Sequence, residues 1–400
     1  MTRENIYEEC IHSLKNSNCI LLEAATGFGK TSISLHLTNY LLSSKWYKDK
    51  KEINILILVA KRVHKQTWAD EIKKWGGIHH PTAEINICME CYESLKNHCG
   101  EKWDICLADE VHHAASEARQ KMLKTMSFGY FIGLSATIPQ KLKMWFQYNY
   151  HSQIVSCDII EAIDSGVLPE PTILLFPLQV ENTRVSETIE INPKVKGPVY
   201  HGEYKDLWKC KKQKTHAILK CTQRQKLNEM DKLIEWYKKK AMVNPAMKQT
   251  WLYFCGKRLE FLADCKLQWV RMILQYLDKE RTITFCKTIL QTEVLGKNCI
   301  HSKNKNAERI YHNFNEGKID HITAVNILNE NANLVNCRYG IFCNITSSDV
   351  ITQQRNGRLL RHKDPVIIIP YYKGTREEEL VQKGIEGFKE VRTIHSISEI

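Results

Sequence analysis

A short glycine-containing segment between an apolar run and a helical pattern has residue types suited to holding phosphate groups. It is AATGFGKT, which ends at Thr31, follows the apolar run CILLE and precedes SISLHLTNYLL. Gly27 and Gly29 would let backbone amides approach anionic oxygens at the amino end of a helix. Lys30 would then reach the phosphates, and Thr31 would ligate magnesium. The alternative is a glycine-rich turn before an ordinary helix, because Ala24 occupies the first loop position, which the general motif gives to glycine.

An acidic pair, Asp109 and Glu110, comes at the end of a further candidate strand, DICLAD. In parallel sheets the carboxyl ends of the strands face the crevice where ligands bind. Asp109 is suited to hold magnesium through water, and Glu110 is suited to orient and deprotonate an attacking water molecule. A solvated turn with a helix cap would explain the pair if it stood alone. The glycine-containing loop that ends at Thr31 could hold phosphate groups, and it therefore favours a role for the pair in phosphate chemistry.

Two further groups of polar residues extend this set. Ser135 and Thr137 follow the candidate strand YFIGLS, where small hydroxyl groups can bond to the acidic pair and to nearby backbone. In the segment QRNGRLLR, Arg358 and Arg361 are three residues apart and therefore share one helical face. Two guanidinium groups on one face suit the charge that builds on a transferring phosphoryl group. An exposed basic helix remains the alternative explanation for either arginine alone.

Two stretches of the chain alternate short apolar runs with helical periodicity, which predicts two α/β lobes built on parallel sheets. The first domain is predicted at 1–165 and the second at 166–400. In the second, strands are expected at TILLFPLQV, TITFC, ITAVNIL, GIFCNI and VIIIPYY. The polar, lysine-rich stretch of about 185–278 lacks strand alternation and carries helical apolar stripes, so we expect a mostly helical insertion in the second domain.

The composition agrees with an ordinary globular protein, since 43% of the residues are hydrophobic and 26% are charged. The sequence has no apolar run of the roughly 18 residues that a membrane span needs, and its first residues lack the apolar core of a signal peptide. We therefore expect a protein that stays inside the cell and has no membrane partner. The fifteen cysteines are scattered over the whole chain, which favours reduced thiols over a disulfide framework.

One group of cysteines has a spacing that resembles a metal site. Cys88 and Cys91 are followed by His98 and Cys99, which gives four potential zinc ligands within twelve residues. The favoured interpretation is structural, because the apolar strand INIC continues here into the helical segment CYESLKN. Isolated cysteines usually behave as small hydrophobic residues.

The formal net charge of +12 is concentrated in one part of the chain. Residues 201–250 contain thirteen basic and five acidic residues, a local charge of +8. Such a field attracts a phosphate backbone without reading its sequence, although solvated helix faces also carry charge runs. Aromatic residues that could stack on bases lie in the same stretch, so we expect nucleic-acid contacts there. The candidates are Lys238, Lys239 and Lys240, with Trp208, Trp236 and Tyr237 as stacking residues.

In this order and with these strand contexts, ATGFGKT, DEVH, SAT and QRNGRLLR resemble motifs I, II, III and VI of superfamily 2 helicases. The resemblance covers nearly the whole chain, because LVAKRVHKQTWADEI, CYESL, TITFCKT and VNILNENANL occupy the places of four further motifs. It implies two RecA-like domains, a nucleic-acid strand across them, and ATP and Mg²⁺ at the phosphate loop.

The same resemblance assigns roles to individual residues. The catalytic set that it implies is Lys30, Asp109, Glu110, Gln354, Arg358 and Arg361. The nucleotide contacts that it implies are Ala25, Thr26, Gly27, Phe28, Gly29, Lys30, Thr31 and Glu330, with Thr31 and Asp109 as magnesium ligands. Ser135 and Thr137 would couple ATP to the bound strand. Lys61, Arg62 and Tyr92 are the implied nucleic-acid contacts in the first domain.

Several segments, among them GKRLEFLADCK and FNEGKI, are most similar to phage-encoded DNA helicases related to branch-migration and recombination-repair enzymes. This resemblance implies an ATP-dependent motor that unwinds or remodels forked or branched DNA in a bacterial or phage-infected cell. Two alternatives stay open. One is an RNA helicase, and the other is a nucleotide-gated clamp or the motor subunit of a restriction or defence complex, for which the sequence identifies no protein partner.

Overall fold

The computed structural model describes residues 1–325, 334–345 and 359–400. These residues form two compact units. The first contains Met1–Pro171 together with residues 334–335 and 359–365, and the second contains residues 172–325, 336–345 and 366–400. Among the described helices, none has the length and apolar character to cross a membrane.

A six-stranded sheet forms the centre of the first unit, with every neighbouring pair of strands parallel. Its strand order is β3-β2-β4-β5-β1-β6. The strands are β1 (Cys19–Ala24), β2 (Glu52–Val59), β3 (Glu84–Cys91), β4 (Lys102–Ala108), β5 (Ser127–Ser135) and β6 (Gln153–Cys157). The inner strands are continuous apolar runs because helices pack against the sheet, and this burial keeps water from their hydrogen bonds.

Six α-helices and two 3-10 helices precede, connect or follow these strands. The α-helices are α1 (Arg3–Asn16), α2 (Lys30–Leu42), α3 (Val63–Lys74), α4 (Glu117–Thr125), α5 (Gln140–Tyr150) and α6 (Ile159–Asp164). The 3-10 helices are Tyr92–His98 and Val111–Ala115. Helix α1 begins with a capping box in which Thr2 and Asn5 bond each other's backbone, and this cap satisfies amide groups that would otherwise lack partners.

The second unit is built on a seven-stranded sheet, again with parallel pairing throughout. Its strand order is β12-β13-β11-β14-β15-β7-β16. The strands are β7 (Thr172–Leu178), β11 (Thr282–Phe285), β12 (Cys299–Ile300), β13 (His321–Ala324), β14 (Tyr339–Phe342), β15 (Val366–Tyr372) and β16 (Val391–Thr393). The prediction of two parallel-sheet α/β domains is confirmed.

The segment between β7 and β11 combines a small sheet with two long helices. Strand β10 (Ala217–Thr222) pairs antiparallel with β8 (Val185–Ile191) and parallel with β9 (Tyr200–Glu203). Helix α7 (Leu207–Gln213) lies between β9 and β10, and α8 (Gln223–Val243) and α9 (Lys248–Tyr276) follow. We expected a mostly helical segment, and this expectation was wrong for its first part. Strand β8 pairs with β10, about thirty residues further along the chain, so no local sequence pattern revealed the pairing.

Helices α8 and α9 form an antiparallel hairpin. Arg258 on α9 contacts Asp231 on α8 at 2.8 Å, and further towards the connection Tyr237 stacks on Phe254 with ring centroids 4.9 Å apart. A single 3-10 turn, Pro245–Met247, joins the two helices. We call residues 236–253 the hairpin tip.

The hairpin is fixed to the second sheet through α9. The side chain of Lys266 is completely buried, and its Nζ donates to Glu377 Oε1 at 2.6 Å and to the carbonyl oxygen of Pro370 at 3.2 Å. Glu377 lies on α12 (Arg376–Gly384), and Pro370 lies in β15. Helices α10 (Ile289–Leu295) and α11 (Ala307–Asn315) complete the described α-helices of this unit.

Candidate active site

The glycine-containing loop lies between the end of β1 and the start of α2. Gly27 has φ +89° and Gly29, which caps α2, has φ +100°, so both occupy the left-handed region that favours glycine. Phe28 between them is fully buried, and its carbonyl oxygen accepts a hydrogen bond of 2.8 Å from Arg3 Nε. The buried Phe28 and the bond from Arg3 therefore hold the loop at the amino end of α2, and a helix amino end is a place where anions bind.

Lys30 is the first residue of α2, and its side chain folds back over the loop. Its Nζ donates to the carbonyl oxygen of Ala24 at 2.8 Å and to that of Ala25 at 3.3 Å. These bonds keep the ammonium group beside the helix terminus. A positive charge and a helix amino end at one place form a site for a polyanion.

Sheet order brings three polar segments to one edge of the first unit. Strands β4 and β1 both pair with β5, so the residues that follow these three strands are neighbours. In the parallel register, Glu23 of β1 is level with Ser135 of β5. The acidic pair follows β4 directly. The phosphate-type loop, the acidic pair and the SAT segment thus share the carboxyl edge of the sheet, where ligands bind in folds of this class.

Asp109 is 6% exposed, and neighbouring donors fix both of its carboxylate oxygens. Oδ2 accepts a hydrogen bond of 3.0 Å from Trp68 Nε1, and Oδ1 accepts one of 3.0 Å from the backbone amide of Glu110. The hydroxyl of Tyr92 donates to the carbonyl oxygen of Asp109 at 2.9 Å. Burial raises the pKa of Tyr92 well above its ordinary value, helped by Cys106 and the two carboxylates, so this hydroxyl stays protonated and keeps donating.

Glu110 has an unusual backbone and two close polar neighbours. Its φ of +47° is left-handed, which costs a residue other than glycine about 1–3 kcal/mol and is typical of functional sites. Its side chain is buried, and Oε2 lies 3.3 Å from Ser135 Oγ and 3.3 Å from His112 Nδ1. His112 Nδ1 and Ser135 Oγ are themselves 2.9 Å apart. The three groups form a closed triangle that holds the carboxylate in one position.

The SAT segment is tied both to the acidic pair and to the strand that leads into the loop. Ser135 Oγ lies 2.9 Å from the carbonyl oxygen of Thr137 and 3.3 Å from its amide. The next residue, Ile138, donates its amide to Glu23 Oε1 at 2.6 Å, and Lys143 of α5 forms an ion pair with Glu23 Oε2. A shift of Glu110 would therefore act through Ser135 on a segment anchored to β1.

Two family models match the chain. The model described as Type III restriction enzyme, res subunit, matches residues 2–140, and the model described as Helicase conserved C-terminal domain matches residues 265–363. The chain is a superfamily 2 helicase. It is accordingly an ATP-dependent enzyme. None of the curated proteins compared with it matches its sequence.

Solved structures share the fold of this helicase. The helicase domain of Pyrococcus furiosus Hef is 15% identical, with a TM-score of 0.50, and the match covers 94% of this chain and 97% of that one. Two structures of S. cerevisiae Dbp5 bound to RNA and ADP BeF3, one of them a point variant, are 11% and 12% identical. Their TM-scores are 0.56 and 0.52, and each match covers 98% of this chain and 89% of that chain. The two parallel-sheet units have the RecA-like helicase fold.

Part of the residue set expected from the helicase motifs falls beyond the described ranges. Glu330, Gln354 and Arg358 lie outside the described residues, so their roles stay predictions. Arg361 is described as an exposed residue of a turn, and its amide donates to the carbonyl oxygen of Leu359 at 2.7 Å. The residues that the helicase brings together in its first unit are the loop residues 25–31, Asp109, Glu110, Ser135 and Thr137.

The expected nucleic-acid contacts of the first unit divide into two kinds. Lys61 and Arg62 are exposed and follow β2 at the carboxyl edge of the sheet, a position that a nucleic-acid strand can reach. Tyr92 is only 2% exposed, and Arg119 lies over its ring at 5.9 Å. The expectation that Tyr92 contacts nucleic acid conflicts with this burial, because a buried ring offers no face to a base. Its hydroxyl instead supports Asp109.

The three lysines expected to bind nucleic acid lie on α8, with different surroundings. Lys239 and Lys240 are exposed, and Lys240 Nζ lies 3.6 Å from the ring centroid of Trp236. Lys238 is half-buried and lies 3.9 Å from Glu235 one turn earlier. Successive helical residues point about 100° apart, which explains why adjacent lysines differ. An open cavity of about 520 Å³ at the hairpin tip is lined by Trp236, Lys239, Lys240, Val243, Asn244 and Met247.

The sequence motifs did not reveal several residues that position the acidic pair. His112 was noted only as part of DEVH, yet it closes the triangle with Glu110 and Ser135. Trp68 lies 41 residues before its acceptor Asp109, so no local pattern connects them. One of these residues could have been predicted from its position in a strand. Glu23 lies near the carboxyl end of an apolar strand, and the carboxyl ends of parallel strands form the ligand-binding edge of the sheet.

Proposed function

We propose that this helicase uses ATP hydrolysis to unwind or remodel DNA, with forked or branched DNA as its substrate. The observation that supports DNA contact is the hairpin tip, where Trp236, Lys239 and Lys240 line one cavity. Lysines attract a phosphate backbone, and an aromatic ring can stack on an unpaired base. The resemblance of GKRLEFLADCK and FNEGKI to phage branch-migration and recombination-repair enzymes favours DNA over RNA, and with it a bacterial or phage-infected cell.

In this proposal the loop between β1 and α2 holds the ATP phosphates. With left-handed turns at Gly27 and Gly29, the loop would direct the amides at the start of α2 towards the phosphate oxygens. Lys30 would exchange its bonds to the carbonyl oxygens of Ala24 and Ala25 for bonds to the phosphates. Bonds to a doubly charged group are stronger than those to neutral carbonyls, so the exchange favours nucleotide binding.

Thr31 and Asp109 would hold Mg²⁺, which supplies charge neutralisation at the phosphates when it is bound with ATP. The donor set fits this ion, since both side chains offer oxygen, the ligand that magnesium prefers. The carboxylate oxygens of Asp109 accept hydrogen bonds from Trp68 and from the Glu110 amide. These bonds also set the orientation of the carboxylate before any ligand arrives.

Glu110 is the proposed general base for the attacking water. Its carboxylate is buried and is held by Ser135 and His112 at Oε2. A base that is already oriented loses little entropy when it takes a proton in the transition state. The triangle also offers a route by which hydrolysis would act on the SAT segment, residues 135–137. The Ser135 hydroxyl contacts both Glu110 and the carbonyl oxygen of Thr137, so a change at Glu110 would alter the hydrogen bond to Thr137.

The first test is steady-state ATP hydrolysis by the full chain without nucleic acid, then with single-stranded DNA, forked or branched DNA, and RNA. The proposal expects the strongest stimulation with forked or branched DNA, and strand separation that needs ATP. Glu110→Gln serves as the control that removes hydrolysis by this chain. Stronger stimulation by RNA than by any DNA would assign the enzyme to RNA, as would RNA unwinding without DNA unwinding.

A second candidate function has one specific observation in its favour. The model that matches residues 2–140 is described as the res subunit of a type III restriction enzyme, which makes a motor subunit of a larger complex the alternative. On this alternative, the purified chain would separate no strands by itself, and hydrolysis would depend on a second protein. Efficient unwinding of forked DNA by the chain alone would exclude it.

A further inference from the structure

The edge of the first sheet carries a cluster of metal-ligating side chains that the nucleotide site does not use. β3 is the outermost strand on that side. Cys88 and Glu90 are two residues apart in β3 and therefore point to the same face. His98 ends the 3-10 helix that follows. One ligand atom from each of these three side chains lies within 4.8 Å of the other two, and all three side chains are half-buried.

The donor types identify the class of metal. A thiolate, an imidazole and a carboxylate together suit zinc, whereas magnesium and calcium take oxygen ligands. Zinc bonds of about 2.0–2.3 Å place tetrahedral ligands about 3.3–3.8 Å apart. The cluster is therefore slightly wider than a loaded site, and small side-chain rotations would close it. A fourth position is left for water, as in zinc sites with three protein ligands.

Neighbouring residues already orient two of the three ligands. His98 Nδ1 lies 2.8 Å from Glu101 Oε2, a contact that holds the imidazole ring in place and would leave Nε2 as the metal-binding nitrogen. Glu90 Oε2 pairs with Lys65 at 3.3 Å, and the carboxylate also accepts hydrogen bonds from the Cys91 backbone and the Ser94 side chain, which fix its position. A carboxylate behind a metal-binding histidine is the usual outer partner of zinc sites.

The geometry selects a different set from the one that cysteine spacing suggests. Cys91 is three residues after Cys88 in the same strand, so it points to the opposite face, where it is 6% exposed. Cys99 is exposed, and its Sγ lies 3.8 Å from the carbonyl oxygen of Leu95. The sequence spacing suggested Cys91 and Cys99 as ligands and did not include Glu90. Side chains alternate between the two faces of a strand, and this alternation determines which of them lie close together.

We propose that Cys88, Glu90 and His98 bind a zinc ion, with Glu101 orienting His98 from behind. The ion joins edge strand β3 to the 3-10 helix Tyr92–His98. That helix begins with Tyr92, whose hydroxyl supports Asp109. Zinc would thus stiffen a segment that packs against the acidic pair, without contacting the nucleotide itself.

Metal binding to the full chain tests this directly. The chain is stripped with a chelator and titrated with Co²⁺, whose thiolate complexes give a charge-transfer absorption band, and then with Zn²⁺ in competition. We expect one Co²⁺ per chain with a thiolate band that Zn²⁺ abolishes. Cys88→Ser should lose the band, whereas the matched control Cys99→Ser, eleven residues away, should keep it. Stoichiometric binding without a thiolate band, or a band that depends on Cys99, would overturn the assignment.

Two further measurements keep the result independent of folding defects in one variant. Glu101→Gln leaves all three ligands in place and should weaken zinc affinity about 10- to 100-fold, the usual effect of removing an outer partner. Hydrogen exchange of the amides in residues 84–101 should slow when zinc is added to the unaltered chain. Unchanged exchange there, or no binding by a chain whose circular dichroism is normal, would refute the site.

Discussion

The carboxyl edge of the first sheet and the hairpin tip of the second unit both carry charged residues, but they hold them differently. Asp109 and Glu110 are each 6% exposed, and side chains from other elements bond to both. At the tip, Lys239 and Lys240 are exposed, and Lys240 lies against Trp236 of the same helix. The two carboxylates are positioned by contacts from other elements, whereas Lys240 at the tip contacts a ring of its own helix.

This difference indicates two kinds of contribution to function. A buried carboxylate held from several sides is prepared for one chemical step, because no reorganisation is needed when charge develops. Exposed lysines beside an aromatic ring adapt to a ligand, and each adds a small, salt-sensitive part of the affinity. Substitutions at the sheet edge should therefore have large effects on rate, and substitutions at the tip should have small effects on binding.

The largest effect is expected from Glu110→Gln. Glutamine keeps the size and the contact with Ser135 but cannot take a proton, so hydrolysis should fall about 10²–10⁴-fold, the usual contribution of a general base. ATP binding should remain, because the loop is unchanged. Steady-state assays measure the rate of hydrolysis, and equilibrium binding of a fluorescent nucleotide measures the affinity for ATP. Glu93→Gln, which alters an exposed glutamate of the neighbouring 3-10 helix, is the control, and equal rates in both variants would remove Glu110 from this role.

Lys266, where α9 packs on the second sheet, is buried and held by other elements, as the carboxylates at the sheet edge are. Its substitution should therefore have a larger effect than a substitution at the hairpin tip. Lys266→Met leaves Glu377 buried without its cation, which should lower the free energy of unfolding by about 3–5 kcal/mol. Urea unfolding followed by circular dichroism measures the change. Lys239→Met at the exposed tip should change stability by less than about 0.5 kcal/mol. The double variant Lys266→Met with Glu377→Leu should recover part of the loss, and a double variant less stable than Lys266→Met would contradict the explanation.

Lys30→Ala should weaken ATP binding about 10- to 100-fold. This range follows from about 1.5–3 kcal/mol for hydrogen bonds to charged groups. Equilibrium binding of a fluorescent ATP analogue gives the affinity. Lys15→Ala, at an exposed position near the end of α1, removes the same charge from the same unit and should bind normally. If both variants bound equally well, the ammonium group of Lys30 would not contact the phosphates.

Much of the fold could be predicted from the sequence because the parallel strands are continuous apolar runs. CILLE, INILILVA and VIIIPYY correspond to β1, β2 and β15. The small sheet of β8, β9 and β10 escaped prediction because β8 is polar on its exposed face, which carries Glu190, and also has Glu187 on its half-buried face. A strand that buries one side only, and pairs with a distant segment, has a weak local signal.

The candidate site was predictable in residue type but not in geometry. Residue type and strand context predicted Lys30, Asp109, Glu110 and Ser135 as candidates, because phosphate chemistry needs these groups after apolar strands. Which of them touch depends on the strand order β4-β5-β1, and periodicity does not determine the order of strands in a sheet. The hydrogen bond from Trp68 to Asp109 depends on the same tertiary arrangement.

The smallest effects are expected at the hairpin tip, where the comparison can be tested within one helix. Changing Lys238, Lys239 and Lys240 together to glutamine should weaken DNA binding and flatten its salt dependence by about one unit of logarithmic slope per lost phosphate contact. Lys239 and Lys240 line the cavity, whereas Lys238 lies beside Glu235, so Lys238→Gln alone is the matched control. Fluorescence anisotropy with forked DNA at several salt concentrations measures the slope. A slope unchanged by the triple substitution would make these lysines a solvated face, and a full effect from Lys238→Gln alone would show that net charge, not the cavity, attracts the DNA.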